Sequence, residues 1–342
     1  MGTCCSQNNQ DKANIELKFQ DSKTPSSPRY EVVVSSVSQN EEQAEGVLPT
    51  IRVKASTDRS AQAHGPIPDV AILTDVVCDI GKINSVEVIS KLGMFDYDGM
   101  KAAEENLPFL PPHKFLDTKT VYKGQWKNGK RHGKGEQYWP DESVYQGFWA
   151  NNCREGKGRY ISSDGEMYEG EWKDDKLHGK GKCIYPSGVV YEGEFFEDHR
   201  HGYGVEIHKD GSKFEGMYVM NIKHGNGLQV WPDGSKYTGE FSGDARNGHG
   251  TLEWADGRKF TGEWKNNMMH GRGEFTWPDG RKYIGEYEND QKHGEGEFTW
   301  SSRKRYKGGF VSNRQHGVGL FTLPDGKSMQ GEWDEGNLVK WI

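Results

Sequence analysis

Large apolar and polar residues alternate at period two in short segments that recur along most of the chain, such as residues 168–172. This alternation is typical of a β-strand with one buried face. A polar stretch follows, then two glycines separated by one residue, a second extended run and a turn. Several of these turns read Pro-Asp-Gly, in which proline presets φ and glycine accepts a positive φ; they lie at 232–234, 278–280 and 324–326. Each unit is therefore predicted to be a β-hairpin.

The unit recurs every 23 residues from Tyr122 onward, with no insertion. Nine full copies and a truncated tenth open at Tyr122, Tyr145, Tyr168, Tyr191, Phe214, Tyr237, Phe260, Tyr283, Tyr306 and Met329. We number the copies from 1 to 10, and the positions within each copy from 1 to 23, starting at these residues. Such a period indicates a solenoid-like array in which each copy buries its apolar face only against its neighbours. Binding or scaffolding is therefore the first functional expectation.

Glycine occupies position 3 of every copy and positions 12 and 14 of the nine full copies. We interpret this as room for a neighbouring ring to lie flat over the backbone. Two strands per copy advance an array by about 9.6 Å, so equivalent rings of successive copies are too far apart to touch. Rings from both strands of a copy, such as Trp172 and Tyr185, are instead expected to form one structural aromatic ladder. Its predicted tryptophans are Trp126, Trp149, Trp172, Trp264 and Trp333.

The segment Tyr-Glu-Gly-Glu-Trp-Lys at 168–173, followed by His-Gly-Lys-Gly at 178–181, resembles the MORN repeat. The resemblance covers residues 122 to about 340, and the array is similar to those of radial-spoke head proteins, junctophilins and protist MORN proteins. It implies a mainly β fold, an elongated single-layer antiparallel sheet of tandem 23-residue hairpins. Twenty strands about 4.8 Å apart would extend for roughly 95 Å.

The residues before the array have a different composition. All eleven Trp residues lie after residue 121, whereas residues 7–67 are rich in Ser, Gln, Glu and Lys and hold few apolar groups. Such a segment cannot offset the entropy of ordering, so we expect a disordered linker. The predicted organisation is an acylation motif at 1–6, the linker at 7–67, a partly helical segment at 68–121 and the array at 122–342.

The partly helical segment carries apolar residues at helical spacing, at 86, 88, 89 and 92. Asn84 or Ser85 is a suitable N-cap for this helix and Gly93 a suitable stop. A second short helix is expected from about residue 98 to residue 106. We expect these pieces to cover the open first edge of the array, and the alternative is that they form a docking helix for a partner.

The first six residues fit the N-myristoylation pattern, with Gly2 exposed after removal of Met1 and Ser6 at the required offset. A single myristoyl chain binds membranes only marginally, with an association constant of roughly 10⁴ M⁻¹, so a stable anchor needs a second signal. Palmitoylation of Cys4 and Cys5 would supply that signal, because the following residues are not polybasic. The predicted lipidation sites are therefore Gly2, Cys4 and Cys5, and the alternative is a plain N-terminus without lipid.

Charge and composition exclude several classes of function. The net charge of −7 and the pI of about 6.0 argue against a nucleic-acid partner. No apolar run approaches the 18 or so residues of a membrane span, and the five cysteines show no disulfide spacing. We therefore expect a cytosolic body, without nucleic acid, disulfides or a transmembrane helix.

Seven histidines recur at position 11 and invite a metal hypothesis: His132, His178, His201, His224, His270, His293 and His316. Successive copies lie about 9.6 Å apart, whereas zinc needs ligands at about 2.0–2.3 Å. Glu155 and Asn247 occupy the same position, so we expect a hydrogen-bonding role in the hairpin and no metal. Neither a nucleotide-binding loop nor a nucleophile or kinase motif is present, and we expect no enzyme and no cofactor.

Charged positions raise the question of lipid contact. Position 4 carries Glu171 and five further glutamates on the face predicted to lie opposite the aromatic rings, and this acidic stripe would repel anionic headgroups. Basic residues are expected at the two ends of the hairpins, so direct contact with anionic phospholipid should occur at an edge of the sheet; the alternative is a merely solvated edge. The predicted contact residues are Arg131, Arg154, Arg200, Lys223, Arg246 and Lys292 on one edge, with Arg258, Lys259, Arg281 and Lys282 on the other.

Three functional hypotheses follow. The first is a lipid-anchored scaffold at the cytosolic face of a plasma or ciliary membrane, which links that membrane to cytoskeletal or ciliary protein partners along the β surface. The second, which the resemblance to radial-spoke head proteins implies, is a structural subunit of an axoneme or basal body. The third is a phosphoinositide-sensing module that regulates a kinase in trans. Self-association as a homodimer is also expected, because an open sheet end can pair with its equivalent.

Overall fold

The computed structural model describes Ile89, Leu92, Gly93, residues 95–97 and residues 107–342. The acylation motif, the linker, the N-cap of the first predicted helix and the second predicted helix lie outside these residues. The strands are β1 Phe109–Lys114, β2 Val121–Lys127, β3 Lys130–Tyr138, β4 Val144–Ala150, β5 Cys153–Ile161, β6 Met167–Lys173, β7 Lys176–Ile184, β8 Val190–Phe196, β9 His199–Ile207, β10 Lys213–Val219, β11 Ile222–Val230, β12 Lys236–Ser242, β13 Ala245–Glu253, β14 Lys259–Lys265, β15 Met268–Thr276, β16 Lys282–Glu288, β17 Gln291–Thr299, β18 Arg305–Val311, β19 Arg314–Thr322, β20 Ser328–Asp334 and β21 Asn337–Trp341.

These strands form one open antiparallel sheet of 21 strands, in which every strand pairs with its neighbour in sequence. In copies 1 to 9 each copy supplies a first strand of 7 residues and a second strand of 9 residues, as β4 and β5 show for copy 2. The prediction of tandem antiparallel hairpins is confirmed. Strand β1 was not predicted; it precedes the array and pairs with β2.

Two kinds of turn join the strands. The turn within copy 2 is Asn151-Asn152, with φ of 52° and 79°, and two residues at positive φ are typical of a type I′ hairpin. The turn between copies normally places glycine at positive φ, for example Gly234 at 88°. Glu142 and Arg303 replace that glycine, and they adopt φ of 73° and 63°, so these hairpins form despite the substitution.

A β-bulge lies in the middle of every hairpin of copies 1 to 9. In copy 2, Gly147 pairs with Gly158, and the next pair on the same face is Trp149 with Arg154. The extra length is accommodated by Gly156, the position 12 glycine, whose φ is +71°. This shift makes positions 5 and 10 cross-strand neighbours on one face of the sheet.

The main core lies on that face, which we call the ladder face, and consists of the aromatic rings of positions 1 and 5 with the apolar residues of the second strands. The opposite face carries a smaller cluster formed by Ile161, Met167 and Ile184. Ile89 and Leu92 pack against this smaller cluster. The helix was expected to cover the first edge of the array. Its described residues, Ile89 and Leu92, lie instead on the face opposite the ladder face, because the smaller apolar cluster is there. Strand β1 covers the edge instead.

The predicted end of the helix is present. Ile89 and Leu92 are helical, the Gly93 amide donates to the Ile89 carbonyl at 2.9 Å, and Gly93 has φ +77°. Glycine just after a helix adopts this left-handed conformation without a steric cost. Within the described residues, no helix has the length and apolar character needed to cross a membrane.

Candidate functional site

The ladder face presents an uninterrupted series of edge-to-face ring contacts. The centre of the Tyr145 ring lies 5.1 Å from that of Trp149 in its own copy and 5.3 Å from that of Trp172 in the next copy, with interplanar angles of 86° in both cases. Tyr168 repeats the arrangement with Trp172 and Phe195, at 5.3 and 5.1 Å. Such edge-to-face pairs contribute about 0.5–1.5 kcal/mol beyond their buried area.

The ladder follows a different route from the one expected from the sequence. The expected contact of Trp172 was with Tyr185 of the second strand, whereas the ring pairs with Tyr145 of the preceding copy. A position 1 ring spans the intervening second strand because the glycine at position 14 of the copy lies beneath it. A Cβ atom added to Gly158 would lie 2.2 Å from the Tyr145 hydroxyl oxygen, and one added to Gly147 would lie 2.5 Å from it.

Hydrogen bonds fix the rings over the backbone. The Tyr145 hydroxyl donates to the Phe148 carbonyl at 3.0 Å. Three tryptophans at position 5 donate their indole Nε1–H groups to glycine carbonyls of the preceding copy: Trp149 to Gly135 at 3.2 Å, Trp172 to Gly158 at 3.1 Å and Trp264 to Gly250 at 3.1 Å. The structure places the predicted ladder tryptophans as follows: Trp149, Trp172, Trp264 and Trp333 are buried, and Trp126 is partly buried against the same core.

A cation lies over the ladder in most copies. The Arg154 guanidinium carbon is 4.1 Å from the centre of the Trp172 ring, and Lys223 Nζ is 4.4 Å from that of Phe214. Arg131, Arg200, Arg246 and Lys292 lie over rings in the same way. All six were expected to line a sheet edge in contact with lipid. The bulge instead places position 10 beside position 5 on the ladder face, where these side chains are half-buried.

Neighbouring copies are joined by Asn or Asp side chains at position 8. The Asp175 carboxylate accepts from the backbone amide of Arg154 at 2.8 Å and from its Nε at 3.2 Å. In return, the Asp175 amide donates to the Arg154 carbonyl at 3.1 Å. Asn152, Asn221 and Asn267 make the equivalent side-chain contacts with the preceding copies. These bonds bridge 21 residues of sequence each and hold the cations in place over the rings.

The second predicted set of basic residues is engaged in ion pairs. Arg258 and Arg281 pair with the turn aspartates two residues before them, both at 2.7 Å. Lys259 pairs with Glu253 at 3.1 Å, and Lys282 pairs with Glu274 at 2.8 Å. These exposed pairs contribute little to stability, but they reduce the positive charge that the edge offers to an anionic membrane.

The position 4 glutamates of the acidic stripe also have a structural role. Glu240 accepts from the His249 amide at 2.8 Å, and Glu263 accepts from the Arg272 amide at 3.0 Å. Both amides follow the bulge glycine. The carboxylates therefore satisfy donors that the bulge removes from the strand pairing.

Three of the position 11 residues accept hydrogen bonds from the turn of the next copy. His132 Nδ1 accepts from the Asn151 amide at 3.3 Å, and Glu155 and Asn247 accept equivalent bonds at 3.1 and 2.9 Å. A shared acceptor role explains why histidine, glutamate and asparagine are interchangeable there. Residues 107–342 and the few described residues before them contain no cluster of three or more potential metal ligands.

An open cleft of about 660 Å³ lies on the ladder face across copies 5 to 8. Trp231, Trp254 and Trp264 line it together with polar groups of Arg246 and Asp290. The Arg246 guanidinium is 4.4 Å from the Trp264 ring and donates to the Asn267 carbonyl at 2.8 Å, and burial lowers its pKa. Aromatic walls with a few fixed polar groups are typical of protein-recognition surfaces. The sequence analysis did not identify this cleft, although tryptophan at position 18 of successive copies was a signal for it.

Comparison with known proteins identifies the repeat. A model of the MORN repeat matches nine consecutive segments, residues 122–144, 145–167, 168–190, 191–213, 214–236, 237–257, 260–280, 283–305 and 306–328. No curated protein matches the chain.

Several solved structures are similar in part. The TCP domain of Drosophila melanogaster SAS-4, solved with a proline-rich motif of Ana2, is 15% identical; the match covers 53% of this chain and 99% of that one, with a TM-score of 0.32. A TCP10 domain of Danio rerio CPAP is 14% identical over 69% and 98%, with a TM-score of 0.26. Virginiamycin B lyase of Staphylococcus aureus is 11% identical over 68% and 71%, with a TM-score of 0.14. At these TM-scores the likenesses carry no argument about function.

Proposed function

Because the chain belongs to the MORN-repeat family, and is thus a repeat protein of a scaffolding, protein-binding type, we propose that it is a non-enzymatic scaffold anchored by acylation to the cytosolic face of a membrane. The array at 122–342 would bind protein partners, and the N-terminal residues would hold it at the membrane. Concentrating partners at one membrane raises their effective concentration without any chemistry at the array.

The observation that carries the protein-binding part is the cleft of the ladder face. A single-layer sheet exposes both faces, and its rigidity here comes from contacts between neighbouring copies, namely the ring ladder and the position 8 hydrogen bonds. The cleft is open and combines three tryptophans with a fixed guanidinium. Rigid aromatic anchors bind at a low cost in conformational entropy. A partner segment with apolar side chains and acidic or amide groups would fit this lining.

The anchoring part rests on the sequence of residues 1–6. Myristoylated Gly2 with palmitoylated Cys4 and Cys5 would meet the two-signal requirement for stable attachment. The proposed linker at 7–67 has 61 residues, and a flexible chain of that length has an end-to-end distance of roughly 40–45 Å. The array could therefore reach partners well beyond the membrane surface while it stays attached.

Direct binding of anionic phospholipid has less support than partner binding. Each of the ten basic residues proposed for it already lies over an aromatic ring or forms an ion pair within the array. This weakens the hypothesis of a phosphoinositide-sensing regulator of a kinase in trans. A structural subunit of a cilium or basal body would need only the rigid array and no lipid anchor. This is the alternative function, and the localisation experiment below distinguishes it from the membrane scaffold.

The test compares fluorescent fusions of the full-length protein, Gly2→Ala and the double variant Cys4→Ser/Cys5→Ser. We expect Gly2→Ala to move to the cytosol, and the cysteine variant to retain only weak, reversible membrane association. Arg258→Gln/Arg281→Gln is the matched control, which should stay at the membrane. Retention of Gly2→Ala on cilia, basal bodies or cell cortex would refute the acyl anchor and favour the structural-subunit alternative.

A further inference from the structure

The face opposite the ladder is more apolar in copies 2 to 5 than in copies 6 to 8. One row of cross-strand neighbours, formed by positions 17 and 23, reads Ile161, Met167, Ile184, Val190, Ile207, Lys213, Val230, Lys236 and Glu253. The described helical residues pack on the first three of these. The apolar surface, however, continues past them into copies 4 and 5.

That continuation forms a patch, which we call the copy 4–5 patch. Its apolar members are Tyr203, Val205, Ile207, Met217, Leu228 and Val230, which share one face of three adjacent strands with the ion pair of Lys213 and Glu215. Tyr203 and Met217 are 47% and 42% exposed. Copies 6 to 8 carry Thr or Glu where copy 5 has Leu228 and Val230, so hairpin folding does not require apolar residues there.

Followed from residue 97 toward the N-terminus, the described residues before the array lie along this face in the direction of the copy 4–5 patch. The ring centres of Tyr97 and Phe148 of β4 are 5.6 Å apart, and the carbonyl of Gly93 accepts a hydrogen bond from Nη1 of Arg159 of β5 at 3.0 Å. Farther upstream, Ile89 and Leu92 pack against the cluster formed from β5 to β7. Each step toward the N-terminus therefore moves to later strands. Continued past β8, that direction leads to β9, β10 and β11, which carry the patch.

The sequence upstream of Ile89 suits the patch. Residues 70–77 read Val-Ala-Ile-Leu-Thr-Asp-Val-Val, and Asp69, Asp75 and Asp79 make this region acidic. Lys213 lies within the patch, between Ile207 and Val230, and pairs with Glu215 at 2.7 Å. Lys236 borders the patch beside Val230 and pairs with Glu253 at 2.8 Å. Eleven residues, 78–88, separate this run from Ile89. The four strand spacings from β7 to β11 amount to about 19 Å, and eleven residues span about 16 Å as a helix and more when extended.

We propose that residues 70–77 dock on the copy 4–5 patch, so that the segment before the array covers the opposite face from copy 1 to copy 5. The ladder face then stays available to partners. The chain leaves the array near its middle, and an N-terminal anchor would pull there and not at the first edge. The direction of the chain and the apolar match support this occupant over a second copy of the protein.

The test uses hydrogen–deuterium exchange on the full-length protein. In Leu228→Thr/Val230→Thr, which installs residues that other copies carry, we expect the amides of residues 70–77 to exchange about tenfold faster or more than in the wild type. The control Val318→Thr/Leu320→Thr removes exposed apolar side chains from the same face in copy 9, and it should leave those amides unchanged. Equal exchange of residues 70–77 in all three proteins would overturn the proposal.

A second variant keeps the test decisive if the first one perturbs the strands. Ile72→Asp/Leu73→Asp leaves the array sequence intact, and it should raise the hydroxyl-radical oxidation of Met217 by about twofold or more, because the segment no longer shields the patch. Unchanged oxidation would contradict docking. Protection of residues 70–77 that disappears on dilution would also contradict it, since it would show that a second copy covers the patch.

Discussion

Replacing Gly158 by alanine should destabilise the array through one steric contact. The added Cβ would lie 2.2 Å from the Tyr145 hydroxyl oxygen and 2.5 Å from two ring carbons, and the Tyr145 ring is fully buried. Gly158 of β5 pairs with Gly170 of β6, and its φ is not positive. The steric obstacle to alanine at residue 158 is therefore the Tyr145 ring, whereas the backbone conformation there accepts alanine. Overpacking of this kind costs about 1–3 kcal/mol.

A double-mutant cycle with Tyr145→Ala isolates that contact. Removing the ring alone should cost about 3–5 kcal/mol. Once it is gone, Gly158→Ala should be neutral or stabilise by about 0.5–1 kcal/mol, because alanine loses less backbone entropy than glycine. The expected coupling between the two sites is therefore about 1–3 kcal/mol, and it rescues the double variant.

Native-state hydrogen exchange of amides in β4 to β6 is the appropriate assay, because repeat arrays open locally and a single unfolding transition is not assured. A cost of 1–3 kcal/mol corresponds to roughly 5- to 150-fold faster exchange. Gly227→Ala is the matched control, since its nearest ring atoms, those of Phe214, lie at 2.8 Å and should give a smaller effect. Exchange that Gly158→Ala accelerates equally with and without the Tyr145 ring would refute the steric explanation.

Three further predictions test other parts of the array. Arg154→Met should lower the local stability of copies 2 and 3 by about 1–2 kcal/mol in hydrogen exchange, because it removes a guanidinium 4.1 Å from the Trp172 ring; an unchanged exchange rate would show that the cation is not energetically coupled to the ladder. Glu142→Gly should raise the melting temperature, with a gain of about 1 kcal/mol, since Glu142 has φ 73° and an L-residue is strained there; a lower melting temperature would contradict this. Burial raises the pKa of Tyr237 to about 12 from the ordinary 10.0, so the stability due to its neutral phenol is complete below pH 10 and is lost as the pH rises toward 12; Tyr237→Phe should reduce this alkaline loss in pH-dependent melting, and an identical pH profile would argue against it.

Much of the array was predictable because its determinants are local. Alternation at period two, a fixed repeat length and Pro-Asp-Gly turns specify a hairpin within one copy, and neighbouring copies need only repeat it. The glycine interpretation also followed from local chemistry, since Gly158 must leave room for the Tyr145 ring. The end of the helix at Gly93 was predicted from a single residue, because few residues other than glycine accept its φ of +77°.

Other features were decided by contacts between strands. The bulge at Gly156 changes which residues are opposed, and it moves Arg154 from an expected edge to a position over Trp172. Strand alternation alone does not reveal this, because a one-residue shift in register reverses the face on which a side chain lies. The ladder likewise connects Tyr145 to Trp172 of the next copy across a second strand, a path that depends on the three-dimensional stacking of copies.

The sequence by itself determined that this protein is an array of MORN hairpins, since each hairpin is specified within its own 23 residues. Only the tertiary structure decided what each face of the sheet carries. It placed the cations and the tryptophan cleft on the ladder face, and Ile89 and Leu92 on the face opposite. The physical reason is that register and bulges are set by pairing between strands, and docking depends on apolar residues such as Ile161 and Ile184, which become adjacent only when the copies stack.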